Sequence, residues 1–329
     1  MRNVALGRSG LEVSRLGFGC MGLAEFYGDP APQDRVDAVL GAAIDAGITF
    51  FDTADMYGRG LNEEQISPFV KAHRGEIVLA TKFGAVRTDN PADRIIDNSP
   101  DYVRRACDAS LSRLGVEVID LYYMHRRNAE VPIEESVGAM ADLVREGKVR
   151  HIGLSEVNAE TLRKAQAVHP VAALQSEFSL TTQDVAAEML PLCREFGIAY
   201  VAYSPLGRGL LSGTYTPDSE MPNTDFRKHL PRFSGENLAR NLAPVEAVKT
   251  IAAEKDAAPA QIALAWVLAQ GDDIVPIPGT TKPARVWENM AAVDISLTDD
   301  DIDRLSEAFG TGAISGERYG AIGMEVVGQ

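Results

Sequence analysis

Three apolar runs of this 329-residue chain each end in ionisable groups: FFDTADMYG at 50–58, VLATKFG at 78–84 and DLYYMHR at 120–126. Asp52, Tyr57, Lys82 and His125 make chemical sense together as a proton-transfer group. A phenol with a pKa near ~10 neither gives nor takes a proton readily at neutral pH. An adjacent ammonium favours the phenolate and lowers that value, and Lys82 can supply it. A lysine held in a pocket costs desolvation unless a carboxylate pairs with it, and Asp52 is the nearest candidate. His125 adds a neutral donor able to orient a carbonyl. Asp55, inside the same stretch, reads as a turn residue that bonds backbone amides.

Residues so far apart need a scaffold that converges them. Short β-branched or aromatic runs alternate with helical stretches, the pattern of repeated βα units. Eight strands are expected: LGFGC at 16–20, ITFF at 48–51, IVLAT at 77–81, VIDLYYM at 118–124, VRHIGL at 149–154, VAALQ at 171–175, IAYVAY at 198–203 and DIVPI at 273–277. Between them, Ser99, Pro100, Asp101 and Gly115 bracket one helix, with Val103, Cys107, Ser110, Leu111 and Leu114 as its buried face. Pro132 and Gly147 bracket a second, with a stripe of Ile133, Val137, Met140 and Val144. Eight units in one chain favour a closed α/β (β/α)8 TIM barrel, as a single domain over 1–329, over an open doubly wound sheet. The glycines of GFGCMGL formally match GxGxxG, but no acidic residue follows at the distance a dinucleotide fingerprint needs.

On that barrel Asp52, Lys82, His125, Ser155, Gln175, Tyr203, and Gly279 with Thr280 all fall at carboxyl ends of strands. Those ends share the face where barrel enzymes keep their sites. Residues 1–15 read as a hairpin turned at Arg8, Ser9 and Gly10 that caps the opposite end. The 206–235 stretch, long and rich in Gly, Pro and Ser, reads as a ligand-covering loop after the seventh strand.

Composition narrows the partners. Lys plus Arg total 32 against 47 for Asp plus Glu, and a net charge of −15 repels nucleic acid and anionic membranes, so an anionic ligand needs its own basic pocket. The start of the chain has no apolar signal core and no run of 18 apolar residues occurs, so a cytoplasmic protein is expected. Cys20, Cys107 and Cys193, with no CxxC, read as reduced thiols. His73, His169 and His229 lack metal-ligand spacing and His151 reads as structural, so no metal is expected. Trp266 and Trp287 read as core, and Phe26, Tyr27 and Met56 as pocket lining.

The ordered set FFDTADMYG, VLATKFG, DLYYMHR, VRHIGLSE, LQSEFSL, YSPLGRGLL and IPGTTKPARVWEN resembles the aldo-keto reductase superfamily from about residue 3 to 310, and within it the bacterial and plant auxin-induced or general stress-type members. The resemblance implies NADPH-dependent reduction of aldehyde or ketone carbonyls. Tyr57 would be the acid, Lys82 and Asp52 its tuners, and His125 the group that positions the substrate. It further implies a nicotinamide stacked on Tyr203 and held by Ser155 and Gln175. The pyrophosphate would lie beside 204–213, including Ser204, Leu206, Gly207 and Gly209. Lys282 and Arg285 would take the 2′-phosphate, with Gly279, Thr280 and Asn289 nearby. Glu156 stands where many members carry a carboxamide-binding Asn, and Gly279 where many carry a phosphate-binding Lys. Arg126 and Arg127 could attract an anionic group on a substrate, and Arg318 and Tyr319 could fold over the pocket. An alternative reading is a non-catalytic NADP(H)-binding subunit similar to potassium-channel β subunits.

Overall fold

Strands covered on both faces should be apolar throughout, and the expected strands form where such runs occur. The structure is a computed structural model that describes residues 3–88 and 95–329; the first two residues of the expected hairpin lie outside them. Eight parallel strands follow one another: β1 (Phe18–Gly19), β2 (Phe50–Asp52), β3 (Val78–Phe83), β4 (Ile119–Met124), β5 (Val149–Ser155), β6 (Val171–Glu177), β7 (Ala199–Tyr203) and β8 (Ile274–Pro276). Each pairs with its sequence neighbour. The Gly17 and Gly19 amides donate to the carbonyls of Pro276 (2.9 Å) and Pro278 (3.3 Å), joining the first strand to the last. The arrangement is the expected (β/α)8 barrel.

The seam explains a glycine. A Cβ on Gly279 would collide with the Gly19 carbonyl, so the close approach that closes the barrel excludes a side chain there.

Connecting helices behave as their caps dictate. In Pro100–Leu114, Ser99 accepts from the Tyr102 amide (3.3 Å) and Gly115 ends the helix at φ 65°. Ile133–Arg145 buries Ile133, Val137 and Met140 as the stripe requires. At the amino ends of the strands, Asn3–Ala5 and Glu12–Ser14 pair as the expected hairpin. Its Val4, Leu6 and Val13 pack with Phe50, Ala80, Leu121, Tyr123, Ala173, Val201 and Val275 to fill the barrel interior. After β7 the chain makes a long excursion through short 3-10 turns at Gly207–Ser212, Phe226–His229 and Pro231–Phe233.

One expectation fails. Trp266 is core at 3% exposure, but Trp287 is 52% exposed, because on the helix Pro283–Met290 the residues facing inward are Val286, Asn289 and Met290. Among the described residues no helix is long and apolar enough to cross a membrane.

Candidate active site

Strand side chains alternate between the two faces, so a residue two places beyond an interior residue also points inward. Phe50, Ala80, Tyr123, Ala173 and Val201 belong to the interior cluster. Two places on stand Asp52, Lys82, His125, Gln175 and Tyr203. The barrel therefore sets these five in one ring directly above its apolar filling. Ser155, at the end of β5, is opposite Gln175 in the β5–β6 register.

Lys82 is fully buried, and its ammonium spends all three donors. It bonds Asp52 Oδ1, the Thr53 carbonyl (2.8 Å) and the Tyr57 hydroxyl (3.4 Å). The other Asp52 oxygen accepts from Gln175 Nε2 at 2.8 Å. This links a residue expected to serve only a cofactor into the charged centre. Tyr57 reaches the ring from a 3-10 turn whose Gly58 and Gly60 have φ of 57° and 90°; at Gly58 a Cβ would approach the Leu61 Cβ to 2.9 Å. The Tyr57 ring meets His125 edge-on at 5.8 Å and Phe26 at 6.2 Å, with the Lys82 ammonium 5.1 Å from its centroid.

The electrostatics differ in one respect from the expectation. Burial, reinforced by the Asp52 charge, holds the Tyr57 phenol well above its ordinary value, and Arg126 opposes the shift. Tyr57 is thus kept protonated, which is the state an acid must start from. His125 is pushed well below the usual imidazole range by burial and by Arg126 and Lys82, so it is neutral, and its buried Nδ1 has no partner among the described residues.

The two neighbouring arginines go different ways. Arg126 turns in, giving Nη1 to the His125 carbonyl (2.6 Å) and to Ser155 Oγ (3.2 Å), while Arg127 turns out to Thr161 Oγ1 (2.7 Å). Glu156 is buried at φ 53° and bound by the two terminal guanidinium nitrogens of Arg318 (2.9 and 3.2 Å). It also accepts from the Tyr203 hydroxyl at 2.8 Å. A second ionic cluster was not foreseen: Glu177, at the end of β6, pairs with Arg208 (3.1 Å) and Arg232 (3.4 Å). Its only sequence signal was an arginine between the glycines of YSPLGRGLL. The excursion after β7 crosses to the loop after β1, where the Phe226 amide donates to the Phe26 carbonyl (2.8 Å) and Arg227 lies 4.6 Å over the Tyr27 ring.

On the far side of the mouth, Lys282 and Arg285 are exposed and make no ion pair among the described residues. Thr280 Oγ1 accepts from the Lys282 amide (3.1 Å), and Asn289 is buried. Ser204 (φ 49°), Gly207 (φ 56°) and Gly209 (φ 94°) turn the 204–213 backbone through left-handed conformations, with Leu206 between them. A phosphate-bearing dinucleotide fits this set. There are cations without an ion pair among the described residues, in a chain of charge −15, and a turned backbone able to present amides. Among the described residues no group of three His, Cys, Asp or Glu could hold a metal ion.

Asp55 lies in the turn with its amide donating to the Lys82 carbonyl (3.0 Å), and its buried Oδ1 has no partner among the described residues. Burial and the nearby Glu63 push its carboxyl up to about 8, against the opposing charge of Arg113. A carboxyl raised in the folded state stabilises it fully below the unfolded value of ~4, and that contribution is lost as pH rises through ~8. Asp55→Asn should therefore gain roughly 1–2 kcal/mol relative to the unaltered chain between about pH 6 and 9. Urea unfolding at the two pH values reads the difference, and parallel pH profiles for both proteins would disprove it.

A model of the aldo/keto reductase family matches residues 15–309. A probable aldo-keto reductase of Glycine max is 48% identical over 317 residues, covering 96% of this chain and 91% of its own. An aldo-keto reductase of Schizosaccharomyces pombe whose name records NADP(+) is 45% identical over 312 residues, covering 93% and 92%. Among solved structures, a glycerol dehydrogenase from Gluconobacter oxydans superposes with a TM-score of 0.85 at 28% identity over 93% of this chain and 94% of that one. The holo form of an aldo-keto reductase from Bacillus halodurans superposes at 0.78, with 26% identity over 97% and 99%.

Proposed function

We propose that this chain, which belongs to the aldo/keto reductase family, reduces aldehydes or ketones to alcohols with NADPH. The observation that carries the reading is the unbroken path from Gln175 through Asp52 and Lys82 to the Tyr57 hydroxyl, beside a neutral His125. Binding is assigned as follows. Ser155 and the side-chain amide of Gln175 hold the nicotinamide carboxamide, and the Tyr203 ring lies against the nicotinamide. Ser204, Leu206, Gly207 and Gly209 line the pyrophosphate, while Lys282 and Arg285 bind the 2′-phosphate, with Thr280 and Asn289 towards the adenosine. Gly279 contributes room for the barrel seam rather than a contact.

When bound, the reduced cofactor supplies a hydride to the carbonyl carbon. Tyr57 gives its hydroxyl proton to the carbonyl oxygen as negative charge gathers there, and the phenolate left behind faces the Lys82 ammonium. Asp52 keeps that ammonium charged and fixed in a buried setting that would otherwise expel its proton. A neutral His125 donates one hydrogen bond to the same oxygen and directs it at Tyr57. The resting phenol, held protonated by burial, does not need activation before the substrate arrives.

Titrating the purified protein with NADPH and a panel of aldehydes, ketones and quinones tests the reading by absorbance at the nicotinamide band. Loss of absorbance is expected; binding without turnover across the panel would leave only a nucleotide-binding role. The cofactor preference has its own test. Replacing both Lys282 and Arg285 by Ala should weaken NADPH about 100-fold, the loss of two charge-assisted contacts, and NADH by no more than about threefold. Fluorescence titration with both nucleotides reads this, and an unchanged NADPH affinity would remove the pair from the site.

A further inference from the structure

Residues 315–329 do not hang over the barrel mouth as a loose flap. Ser315 is tied to Asn241 in both directions, its amide donating to Oδ1 (2.7 Å) and its carbonyl accepting from Nδ2 (2.9 Å). At the other end, the Gly328 amide donates to the Glu156 carbonyl (2.9 Å) and the Asn158 amide to the Gln329 carbonyl (3.2 Å). Between these anchors Arg318 is 5% exposed and spends two nitrogens on the Glu156 carboxylate. Tyr319 follows, its ring 4.7 Å beneath the Arg208 guanidinium and its hydroxyl 3.0 Å from that of Tyr203.

The hydrogens can be assigned. Tyr203 has one hydroxyl proton, and the Glu156 carboxylate takes it; Tyr319 must therefore donate to Tyr203. Glu156 gathers four contacts: Oε1 accepts from Arg318, from Tyr203 and from the Glu177 amide (3.0 Å), and Oε2 from Arg318. These four contacts turn the carboxylate towards Arg318, Tyr203 and the end of β6. Its own backbone, at φ 53°, is in a conformation that a non-glycine residue holds only when its surroundings enforce it. Ser155 immediately precedes it.

We infer that Arg318 and Tyr319 are positioning residues for the nicotinamide half of the cofactor site: Arg318 holds Glu156, and through it the Ser155 turn and the Tyr203 hydroxyl, while Tyr319 holds that hydroxyl directly. This rests on the assignment of Tyr203 and Ser155 to the nicotinamide proposed above. In this chain the Glu156 side chain is a bracket for the ring platform, and the segment that carries Arg318 is part of the cofactor site although it lies 162 positions along the sequence. A bracket of this kind acts on the bound nucleotide before it acts on the carbonyl, so its loss should divide the kinetic constants unevenly.

The test compares the unaltered protein with Tyr319→Phe, Arg318→Lys and Arg318→Met. Melting curves accompany titration with NADP+ and steady-state rates with one aldehyde. Tyr319→Phe keeps the ring under Arg208 and removes one hydrogen bond, so it is expected to fold and to weaken NADP+ about threefold to fivefold. Arg318→Met should weaken it at least about tenfold, with Arg318→Lys between them, while KM for the aldehyde stays within about twofold. If Arg318→Met does not fold, Tyr319→Phe and Arg318→Lys decide. Unchanged NADP+ affinity in these variants, or equal shifts in the nucleotide and aldehyde constants, would overturn the inference. Failure of the unaltered protein to bind NADP+ would overturn the cofactor site itself, and this inference with it.

Discussion

Tyr57→Phe should lower kcat for carbonyl reduction by about 10²–10⁴-fold, the range one well-placed acid contributes, and leave NADPH affinity within about threefold. The substitution removes one oxygen. The ring keeps its edge contacts with His125 and Phe26 and its place under the Lys82 ammonium. A loss confined to kcat then reports the missing proton and not a disturbed pocket. Burial and Asp52 hold the phenol above its ordinary value. The unaltered enzyme should consequently keep its acid through roughly pH 6 to 9, with no alkaline fall in kcat there. Rates measured with saturating NADPH across that range check both points. A rate within tenfold of the unaltered enzyme would mean that another group, with His125 the nearest, gives the proton.

Lys82→Met should be the most damaging single change to the centre. It leaves Asp52 buried with Gln175 as its one remaining side-chain partner among the described residues, and removing half of a buried ion pair costs about 3–5 kcal/mol. Activity should fall at least as far as for Tyr57→Phe, because the phenolate formed on proton transfer loses its counter-charge. Combining Lys82→Met with Asp52→Asn separates the effects. The neutral pair should recover most of the stability, since no unpaired charge is buried, and should recover no activity. Denaturant midpoints and rates measured together read this. Recovery of activity in the double variant would show that the pair serves the fold and not the chemistry.

The barrel was legible because its strands are nearly continuous apolar runs. β4 and β6 begin within a residue of their expected positions, buried on both faces as the pattern demands. β1 is shorter than the expected run, since only Phe18 and Gly19 pair with β2. The ring of polar side chains was legible for the same reason, period-two alternation carrying inward-facing positions up to the mouth.

What could not be read were contacts between residues whose nearness only closure creates. No spacing links Gln175 to Asp52, or Arg318 to Glu156, and the Glu177 cluster draws on arginines from two turns of the long excursion. Arg126 and Arg127 looked equivalent until the turn after β4 sent one to Ser155 and the other to Thr161. The direction of the Tyr57 shift was missed because charge can be counted in a sequence and burial cannot. Trp287 was misplaced because a large apolar residue on a two-turn helix has as many outward positions as inward ones.

The most direct measurement follows the hydride itself. NADPH carrying deuterium at the transferable position of the nicotinamide is mixed with enzyme and an aldehyde in ordinary water, and the alcohol is analysed by mass spectrometry and NMR. One deuterium on the carbinol carbon for each NADPH consumed, with the product formed at least about 10²-fold more slowly by Tyr57→Phe, is the expected result. An alcohol without deuterium, or no alcohol despite bound NADPH, would contradict carbonyl reduction at this site.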